Sequence, residues 1–505
     1  MTQNIRYSVD GDGIAILLID VADRPMNVLT PGFRKDLAEC VDKVASDPAI
    51  RGAVIGSAKS SFMAGADIKD MAGAFERGLT ASEAAKFSGE LNGLLRRLET
   101  CGKPFAAAVN GVALGGGFEV ALACHYRVMS DDPKAGVGFP EVKIGLLPGA
   151  GGTQRTPRMI GVTEALRLIS EGRQIGAQDA LKKGLVNEIA PATELVERAR
   201  QWILKGGKGV QPWDVKGFRV PGGAGMASPA AAQTFMVGTA LAAKMTMRNY
   251  PAPAAILSCV YEGTLLPMDA ALAVESKYFG QLLSGNVARN LMRTMFINKG
   301  LADKLARRPA GPPKSQVRKL GILGSGMMGA GVAYVSALAG IEVVLRDSTR
   351  ELAEKGKDYS NKLLAKDVGR GKKTQADADA VLARIKPTAS YDDLAGCDLV
   401  VEAVFENREI KADVTQKAEA VIPKNAVFAS NTSTLPITGL AQASKRPAQF
   451  IGIHFFSPVD KMPLVEIIVG KKTSDDTLAR ALDYVAQLRK TPIVVNDSRG
   501  FYTSR

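Results

Sequence analysis

Short apolar runs alternate with stretches whose apolar positions recur every three or four residues, and this alternation fills the first 190 residues. The runs GIAILLID, RGAVIGSA, PFAAAVNGVA and YRVMS have the length of strands, and the stretches between them have helical spacing. Regular alternation of strands and helices predicts a parallel sheet covered by helices. The first part of the chain is therefore predicted to be an α/β domain.

The pattern changes twice in the next part of the chain. Residues 205–228 are rich in Gly and Pro and predict an irregular connection, whereas helical spacing returns from about 229 to 306, as in DAALAVESKYFGQLL. The run RRPAGPPKSQ then marks a boundary, because consecutive prolines block both helix and sheet. We predict four regions: an α/β domain over 1–190, a mostly helical linker over 191–314, a second α/β domain over 315–497, and the start of a further domain over 498–505.

The second α/β domain opens with the strand KLGIL and the pattern G-x-G-x-x-G. Gly324, Gly326 and Gly329 have the required spacing, a helical stretch follows, and the next strand, EVVLR, leads to Asp347. The first Gly permits a sharp turn, the second lets N–H groups approach a pyrophosphate, and the third lets the helix pack closely on the strand. Asp347 would accept hydrogen bonds from ribose hydroxyls, which favours NAD over NADP, although Arg346 weakens this preference. We expect a Rossmann-like, doubly wound sheet.

The chain has only two histidines, and one of them, His454, ends the predicted strand in QFIGIHFFSP. The next strand, PLVEIIVG, carries Glu466, and a polar turn after an earlier strand carries Ser433. These side chains lie at or near one edge of the predicted sheet. A carboxylate bonded to one imidazole nitrogen raises the basicity of the other, as the deprotonation of a hydroxyl requires. Spacing alone leaves a histidine packed in the core as the more frequent alternative.

The segment from 318 to about 504 resembles the NAD-binding domain of L-3-hydroxyacyl-CoA dehydrogenases in GSGMMGAG, VVLRD, VEAVFENREIK, SNTST, GIHFFSP and LVEII. The resemblance implies His454 as general base, Glu466 as the acid that orients it, and Ser433 as a hydrogen-bonding residue at the substrate hydroxyl. It also implies NAD contacts from Met328, Asp347, Phe405, Glu406, Lys411, Ser433 and Ser457.

Two departures from this family affect the prediction. The family usually has Asn at the position of Ser457 and often at that of Ser504. The sequence also stops where the helical C-terminal domain of the family begins. We therefore expect this half to bind NAD, and whether it completes a dehydrogenase site stays open.

Two segments of the first domain, SFMAGADIKDM and VNGVALGGGFEVALACHYRV, pass from a strand through small residues into a helix. N–H groups at two such helix starts can converge on one carbonyl oxygen and stabilise an enolate-like oxyanion. Close packing alone is the other explanation for the glycines. Glu119 follows the glycines on the first helical turn, and Glu141 follows a Gly/Pro turn. Two such carboxyl groups can hold a water molecule and handle its protons when their pKa values differ.

Residues 1 to about 190 resemble the enoyl-CoA hydratase (crotonase) family in AGADIKDM, NGVALGGGFEVALACHYRV and FPEVKIGLLPGAGGTQRTPR. The resemblance implies a crotonase-type ββα spiral in which Ala66 and Gly116 supply N–H groups to the thioester oxygen. It further implies that Glu119 activates water and Glu141 protonates the α-carbon. Isomerases, hydrolases and dehalogenases share this family, but two glutamates favour a hydratase, with Δ3-Δ2-enoyl-CoA isomerase activity as an addition. His125, six residues beyond Glu119 on the same predicted helix, receives no catalytic role.

Composition and charge narrow the range of partners. The net charge of +14 comes from scattered residues without a long basic block, which argues against nucleic acid and favours a phosphorylated ligand such as CoA. Five widely spaced cysteines and two distant histidines predict free thiols and no metal site. The N-terminus has no features of a signal or transit peptide, and no apolar run has the length of a membrane span, so we expect a cytoplasmic protein.

Together the halves resemble the multifunctional α-subunit of fatty-acid β-oxidation, since the hydratase product, L-3-hydroxyacyl-CoA, is the dehydrogenase substrate. The leading interpretation is a bifunctional 2-enoyl-CoA hydratase and NAD-dependent 3-hydroxyacyl-CoA dehydrogenase that acts on acyl-CoA thioesters. One alternative is an active hydratase whose second half only binds NAD, and another is an acyl-CoA-binding assembly subunit without turnover. Relatives often pair with a separate thiolase subunit, and we expect an oligomer.

Overall fold

The computed structural model describes residues 3–503, apart from the side chain of Glu76, and it divides into two compact units. The first unit extends to Ile297 and the second begins at Asn298. Each unit has its own sheets and its own apolar core. The expectation for Ser504 lies outside the described residues.

Two sheets organise the first unit. The main sheet has the order β1-β2-β3-β4-β6-β9, and a smaller sheet has the order β5-β7-β8. Strands β1 and β2 are antiparallel and are joined by a turn that contains Gly13, whose φ is 78°. The other neighbouring strands of the main sheet are parallel. The strands are β1 (Ile5–Val9), β2 (Ile14–Ile19), β3 (Gly52–Ser57), β4 (Phe105–Val109), β5 (Val112–Leu114), β6 (Tyr126–Ser130), β7 (Gly136–Gly138), β8 (Gln174–Ile175) and β9 (Glu188–Ala190).

Twelve α-helices cover these sheets within the described part of the first unit. Several begin at a side-chain cap; for example, Thr80 and Glu83 form a capping box at the start of α3. A π-helical stretch, Met292–Asn298, follows the last of them. The helices are α1 (Pro31–Ser46), α2 (Ile68–Glu76), α3 (Ala81–Thr100), α4 (Gly116–Ala123), α5 (Gly152–Ile160), α6 (Val162–Glu171), α7 (Ala177–Lys183), α8 (Leu195–Leu204), α9 (Pro229–Thr246), α10 (Pro251–Thr264), α11 (Met268–Leu283) and α12 (Asn286–Leu291).

Helices α9 to α12 lie in the predicted linker but pack on the core of the first unit. Buried side chains of α10 and α11, among them Ile256 and Phe279, belong to the same apolar cluster as the sheet residues. Helix α11 also packs closely along α3, since a Cβ added at Gly280 would lie 2.4 Å from the Ala81 carbonyl oxygen. These helices are therefore part of the first unit. The predicted boundaries at 190, 314 and 497 remain predictions.

One eight-stranded sheet forms the centre of the second unit, in the order β12-β11-β10-β13-β14-β15-β16-β17. All neighbours are parallel except β15 and β16. The strand order reverses between β10 and β13, the position at which doubly wound sheets bind their ligands. The strands are β10 (Lys319–Leu323), β11 (Glu342–Arg346), β12 (Ile385–Thr388), β13 (Leu399–Glu402), β14 (Val427–Ser430), β15 (Phe450–Phe455), β16 (Leu464–Val469) and β17 (Thr491–Asn496).

Helices connect most of the parallel strands, and both units therefore have the predicted α/β architecture. The helices of the second unit are α13 (Lys299–Asp303), α14 (Met327–Leu338), α15 (Arg350–Gly369), α16 (Gln375–Ala383), α17 (Arg408–Glu419), α18 (Ile437–Leu440) and α19 (Asp475–Gln487). Between residues 3 and 503 no helix combines the length and the apolar character needed to cross a membrane.

The loop from β10 to α14 shows why its glycines are needed. Gly324 has a φ of 94°, which favours glycine. A Cβ added at Gly329 would lie only 1.9 Å from the Gly324 carbonyl oxygen, so helix and strand approach more closely than any side chain allows. The space beside Gly326 is open within 4 Å of an added Cβ. The loop is thus tight on one side and accessible on the other.

Candidate functional site

Two main-chain segments of the first unit meet at the start of α4. A Cβ added at Gly65 would lie 3.3 Å from the nitrogen of Gly116, and both Gly65 and Gly115 have positive φ angles, of 89° and 53°. Within residues 3–503, neither the Ala66 N–H nor the Gly116 N–H donates a hydrogen bond. Two unpaired donors therefore lie close together, as an oxyanion site requires.

Helix α4 carries Glu119 on its first turn, and this residue is buried. Its Oε1 accepts hydrogen bonds from the N–H groups of Ala150 and Gly152, each at 2.7 Å, and its Oε2 accepts none from the described residues. Burial raises the pKa of Glu119 well above its usual value, and the charges of Glu275 and Glu141 raise it further. The carboxyl group is held firmly at one oxygen and is available at the other.

Glu141 lies in a 3-10 turn, Pro140–Ile144, directly after β7. Its Oε1 occupies the space beside Gly115, where an added Cβ would lie 2.2 Å from it, and its buried Oε2 has no partner among the described residues. Burial raises the pKa of Glu141 to about 8, and the charge of Glu275 contributes in the same direction. Glycine at position 115 is therefore necessary for this carboxyl group to approach the site.

The structure thus brings together the four predicted hydratase residues, Ala66, Gly116, Glu119 and Glu141. Both carboxyl groups border the Gly115–Gly116 segment, since an added Cβ at Gly116 would lie 3.8 Å from Glu119 Oε2. The third glycine of the run serves close packing, because a Cβ there would lie 2.3 Å from a carbonyl oxygen, that of Met63. The arrangement can polarise a carbonyl oxygen between two N–H groups and exchange protons through two acids.

Tyr250 is a site residue that the sequence analysis missed. It precedes α10, its hydroxyl donates to the Val142 carbonyl oxygen, and the Gly145 N–H donates to that hydroxyl at 3.0 Å. The two contacts hold the middle and the C-terminal end of the turn that carries Glu141. The preceding residues show no pattern that would reveal this role, because the contact depends on where α10 packs.

Glu275 is the second missed residue. It lies fully buried on α11 and accepts hydrogen bonds from the N–H groups of Gly151, at 2.5 Å, and Thr153, at 2.9 Å. The sequence does contain a weak signal for it, since Glu275 stands between Leu272 and Phe279, at the spacing of buried helical positions. An acid at such a position needs compensating donors.

His125 is a structural residue. It lies beyond the end of α4, so the expectation that it shares the helix of Glu119 is wrong. Its Nδ1 accepts a hydrogen bond from the Phe105 N–H at 3.0 Å, and its Nε2 lies 3.1 Å from the Glu99 carbonyl oxygen. Burial lowers the pKa of His125 and favours this neutral, fully bonded form.

In the second unit, Asp347 follows β11 and contacts the glycine-rich loop. Its Oδ2 accepts hydrogen bonds from the N–H and the hydroxyl of Ser325, at 2.7 and 2.6 Å. Burial opposes the charged form, but these bonds keep the pKa of Asp347 below its usual value. The Arg346 guanidinium stacks on Tyr391, with its Cζ 4.0 Å from the ring centroid. Because this contact engages the guanidinium, Arg346 is a weaker argument for NADP than the sequence alone suggested.

An ion-pair cluster joins the end of β13, the loop that follows it and α17. Lys411 Nζ lies 2.8 Å from Oε1 of Glu402 and 3.1 Å from Oε2 of Glu406. Glu402, which the sequence analysis did not single out, is 1% exposed and also accepts a hydrogen bond from the Ser430 hydroxyl at 2.7 Å. Lys411 is buried within this cluster, so it acts first as a brace between β13 and α17.

Glu406 supports the turn that carries Ser433. Its Oε1 accepts hydrogen bonds from the Thr432 hydroxyl and, at 3.1 Å, from the Ser433 N–H. Burial opposes ionisation, but the Thr432 hydroxyl and Lys411 lower the pKa of Glu406. The acid therefore fixes the turn in one position as a carboxylate.

The other predicted NAD contacts differ in their exposure. Phe405 is 83% exposed, and Ser457 is exposed, with its hydroxyl 3.6 Å from the Met327 sulfur. Met328 packs partly against the core of the second unit, whereas Met327, which was not predicted, is 68% exposed. The open side of the glycine-rich loop therefore presents Met327.

His454 and Glu466 are directly paired across the antiparallel strands β15 and β16. His454 Nδ1 lies 2.7 Å from Glu466 Oε2, and the ring packs against Phe456 with centroids 4.5 Å apart. Glu466 is fully buried, and its Oε1 accepts hydrogen bonds from the N–H groups of Tyr502 and Thr503. The pair leaves Nε2 of His454 without a partner among the described residues, as a general base requires.

The N-terminus of α14 fits a dinucleotide pyrophosphate. No side chain caps this helix, and the space beside its N-cap, Gly326, is open. Unpaired N–H groups and the helix dipole together favour a phosphate at such a position. Elsewhere in the described chain, the five cysteines are free, and no group of His, Cys, Asp and Glu residues could hold a metal ion.

These features define a protein with a hydratase-type site in one α/β unit and a dehydrogenase-type, dinucleotide-binding site in the other. Residues 12–208 match the family model of enoyl-CoA hydratase/isomerase, and residues 319–498 match that of the 3-hydroxyacyl-CoA dehydrogenase NAD-binding domain. These two matches, together with the relatives described next, confirm the fold class, the NAD cofactor and the bifunctional enzyme of fatty-acid β-oxidation predicted from the sequence.

The chain belongs to the family of fatty acid oxidation complex alpha subunits. It is 41% identical to such a subunit from Shewanella putrefaciens over 496 residues, which are 98% of this chain and 69% of the relative, and the subunit from Shewanella baltica strain OS155 gives the same values. A solved structure of (S)-3-hydroxybutyryl-CoA dehydrogenase from Ralstonia eutropha is 41% identical, and the match covers 37% of this chain and 66% of that one with a TM-score of 0.37.

Replacement of Tyr250 by Phe should lower the rate of enoyl-CoA hydration about fivefold. The change removes one hydroxyl and both of its bonds to the turn of Glu141, and two hydrogen bonds of about 0.5 kcal/mol each together contribute about 1 kcal/mol. Tyr278→Phe is the matched control, because it also removes a partly buried tyrosine hydroxyl bond, to Glu262. Equal rates for the two variants would exclude a role of Tyr250 in the site.

Proposed function

We propose that Glu119 and Glu141 add water to the 2,3 double bond of 2-enoyl-CoA, and that His454 deprotonates the L-3-hydroxyacyl-CoA product for oxidation with NAD. One observation carries the hydratase assignment: the buried carboxyl group of Glu119 and the Glu141 carboxyl group, whose Oε2 is buried, flank two main-chain N–H groups that have no partner among the described residues. This combination supplies an oxyanion site and an acid–base pair in one place.

In the hydration step, the thioester oxygen would accept hydrogen bonds from the N–H groups of Ala66 and Gly116. Negative charge develops on this oxygen as water adds to the β-carbon, and donors already aimed at it need no reorganisation. Gly116 is the first residue of α4, so the helix dipole favours the same charge.

The hydrogen bonds support a division of labour between the two acids. Two main-chain donors on Glu119 Oε1 favour its carboxylate form, in which Oε2 can accept a proton from water. Glu141 Oε2 has no donor among the described residues, which favours the neutral acid that protonates the α-carbon. Two adjacent buried negative charges are unfavourable, so the pair retains one proton.

The oxidation step depends on His454 and on the groups that hold it. Glu466 accepts the Nδ1 hydrogen and stabilises the imidazolium that forms when Nε2 takes the hydroxyl proton. Ser433 would bond to the same hydroxyl. NAD, when bound, accepts the hydride. The glycine-rich loop would hold its pyrophosphate, Asp347 its ribose, and Phe405 and Ser457 would add contacts on the exposed side.

We also propose the substrates of the chain, its partner subunit and its cellular compartment. We infer acyl-CoA thioesters as substrates, in agreement with the net charge of +14 and the phosphorylated nature of CoA. The relatives are named as subunits of a complex, and on this basis we propose that the chain works in an oligomer with a separate thiolase subunit. Five free cysteines fit a reducing compartment such as the cytoplasm.

Replacement of Glu119 or Glu141 by Gln should lower the hydration of crotonyl-CoA by about 10²–10⁴, since each variant loses one proton-transferring group. The loss of enoyl absorbance measures the rate. NADH binding, measured by fluorescence, should stay unchanged, because its site lies in the other unit. Wild-type rates in either variant would contradict the role assigned to that residue.

Hydration should also depend on pH in a defined direction. The carboxylate form required of Glu119 should limit kcat at low pH. Glu141 must be neutral to donate its proton, and burial raises its pKa to about 8, so kcat should fall as pH rises through this value and the profile should be bell-shaped. In Glu141→Gln, the residual rate should no longer show this fall. A profile that rises above pH 8 in the wild-type enzyme would contradict the assignment.

Replacement of His454 by Gln should lower the NAD-dependent oxidation of L-3-hydroxybutyryl-CoA by about 10²–10⁴. NADH appearance measures oxidation, and crotonyl-CoA hydration in the same preparation serves as the control. If the wild-type chain hydrates crotonyl-CoA and binds NADH but forms no NADH, this half binds NAD without turnover. If neither reaction occurs, the chain is an acyl-CoA-binding subunit.

A further inference from the structure

One short loop of the first unit is held by two carboxylates from opposite directions. Residues 150–153 lead into α5, and their N–H groups alternate between two acceptors. Glu119 of α4 accepts from the first and third, and Glu275 of α11 accepts from the second and fourth. The loop is tight, since Gly151 has a φ of 98° and a Cβ there would lie 1.7 Å from Arg155 Nη1. A shift of one carboxylate must therefore move the donors of the other.

Burial raises the pKa of Glu275, whereas its hydrogen bonds oppose this effect and favour the charged form. Oε1 accepts from the Gly151 N–H at 2.5 Å and from Asn92 Nδ2 at 3.2 Å, and Oε2 accepts from the N–H and the hydroxyl of Thr153, at 2.9 and 2.5 Å. The Gln154 amide donates to that hydroxyl at 3.0 Å, so the hydroxyl proton is directed to Glu275. With two donors on each oxygen, no position remains for a proton.

The other charged groups around Glu275 compensate its charge only in part. Arg155 faces it from α5, but the guanidinium is committed to Glu99, through contacts of 2.7 and 2.9 Å, and to the Ala150 carbonyl oxygen. From α10 only the buried thiol of Cys259 faces this group, through the Thr153 hydroxyl. The remaining ionisable neighbours are the two acids of the hydratase site, Glu119 and Glu141.

We propose that Glu275 is a positioning residue of the hydratase site. It fixes the loop that orients Glu119, and as a buried negative charge it keeps one proton on the Glu119–Glu141 pair. The inference rests on the proposed hydratase function, because a retained proton is useful only where the pair must protonate a carbon. Glu275 itself need not contact the substrate.

The electrostatics of the pair agree with this geometry. The charge of Glu275 raises the pKa of Glu119 after the larger effect of burial, and it raises the pKa of Glu141 as well. Both effects stabilise the protonated form of the pair. Removal of this charge, with the side chain kept in place, should therefore lower both pKa values.

Glu275→Gln tests the proposal, because glutamine keeps the size of the side chain and removes its charge. The bell-shaped pH profile of crotonyl-CoA hydration should move toward lower pH by about one unit, the order expected for one charge within the protein interior. The kcat should fall tenfold or more, because the glutamine NH₂ group faces main-chain N–H donors, while KM should change little. Glu90→Gln, the same change at an exposed position of α3, is the matched control and should behave as wild type.

Glu275→Asp provides the second variant and covers the case in which the glutamine variant does not fold. It retains the charge but shortens the side chain, so kcat should fall while the pH profile stays at its wild-type position. The proposal is overturned if Glu275→Gln folds and keeps the profile of the Glu90→Gln control, or if Glu275→Asp keeps the wild-type kcat. Failure of the hydratase assignment would instead appear in the wild type or in Glu119→Gln, through absent or unaffected hydration.

Discussion

Main-chain N–H groups at the start of α5 neutralise two buried carboxylates that reach them from helices about 150 residues apart in sequence. A carboxylate without such donors would cost several kcal/mol in the interior. The loop would equally leave four donors unpaired without the two acids. The loop and the two acids therefore stabilise one another, and the packing of α11 within the first unit brings Glu275 to the loop. The helices that look like a linker in the sequence are for this reason part of the active unit.

Glycine makes the same kind of contact possible in both units. Gly115 leaves space for the Glu141 carboxyl, and Gly329 lets α14 approach the turn at Gly324 more closely than a side chain would allow. In both places a helix begins beside a strand end with N–H groups that have no partner among the described residues. Such a start attracts negative charge, whether a developing oxyanion or a pyrophosphate. One local geometry thus supplies two different ligand sites.

The parts of the site that could be predicted from the sequence depend on local spacing. His454 and Glu466 lie on adjacent antiparallel strands, and strand alternation places them on one face, so their pairing was accessible to prediction. Glu275, Tyr250 and Glu402 were not accessible in this way, because their roles arise from contacts between elements that are distant in sequence or from burial. A polar residue at an apolar helical position was the one usable sign, and it indicates burial without identifying the partner.

Buried glutamates have different neighbours in the two units, and these neighbours determine whether a glutamate is suited to hold a base or to donate a proton. In the second unit, Glu466 faces an imidazole and main-chain donors, and its hydrogen bond to Nδ1 holds the His454 ring in place. In the first unit, Glu119 and Glu141 face each other and Glu275, and the pKa values of both are raised. Addition of water to a double bond needs a proton donor at carbon, whereas oxidation of an alcohol needs a proton acceptor at oxygen. In the proposed mechanism, repulsion among like charges would supply the donor, and attraction between unlike charges would supply the acceptor.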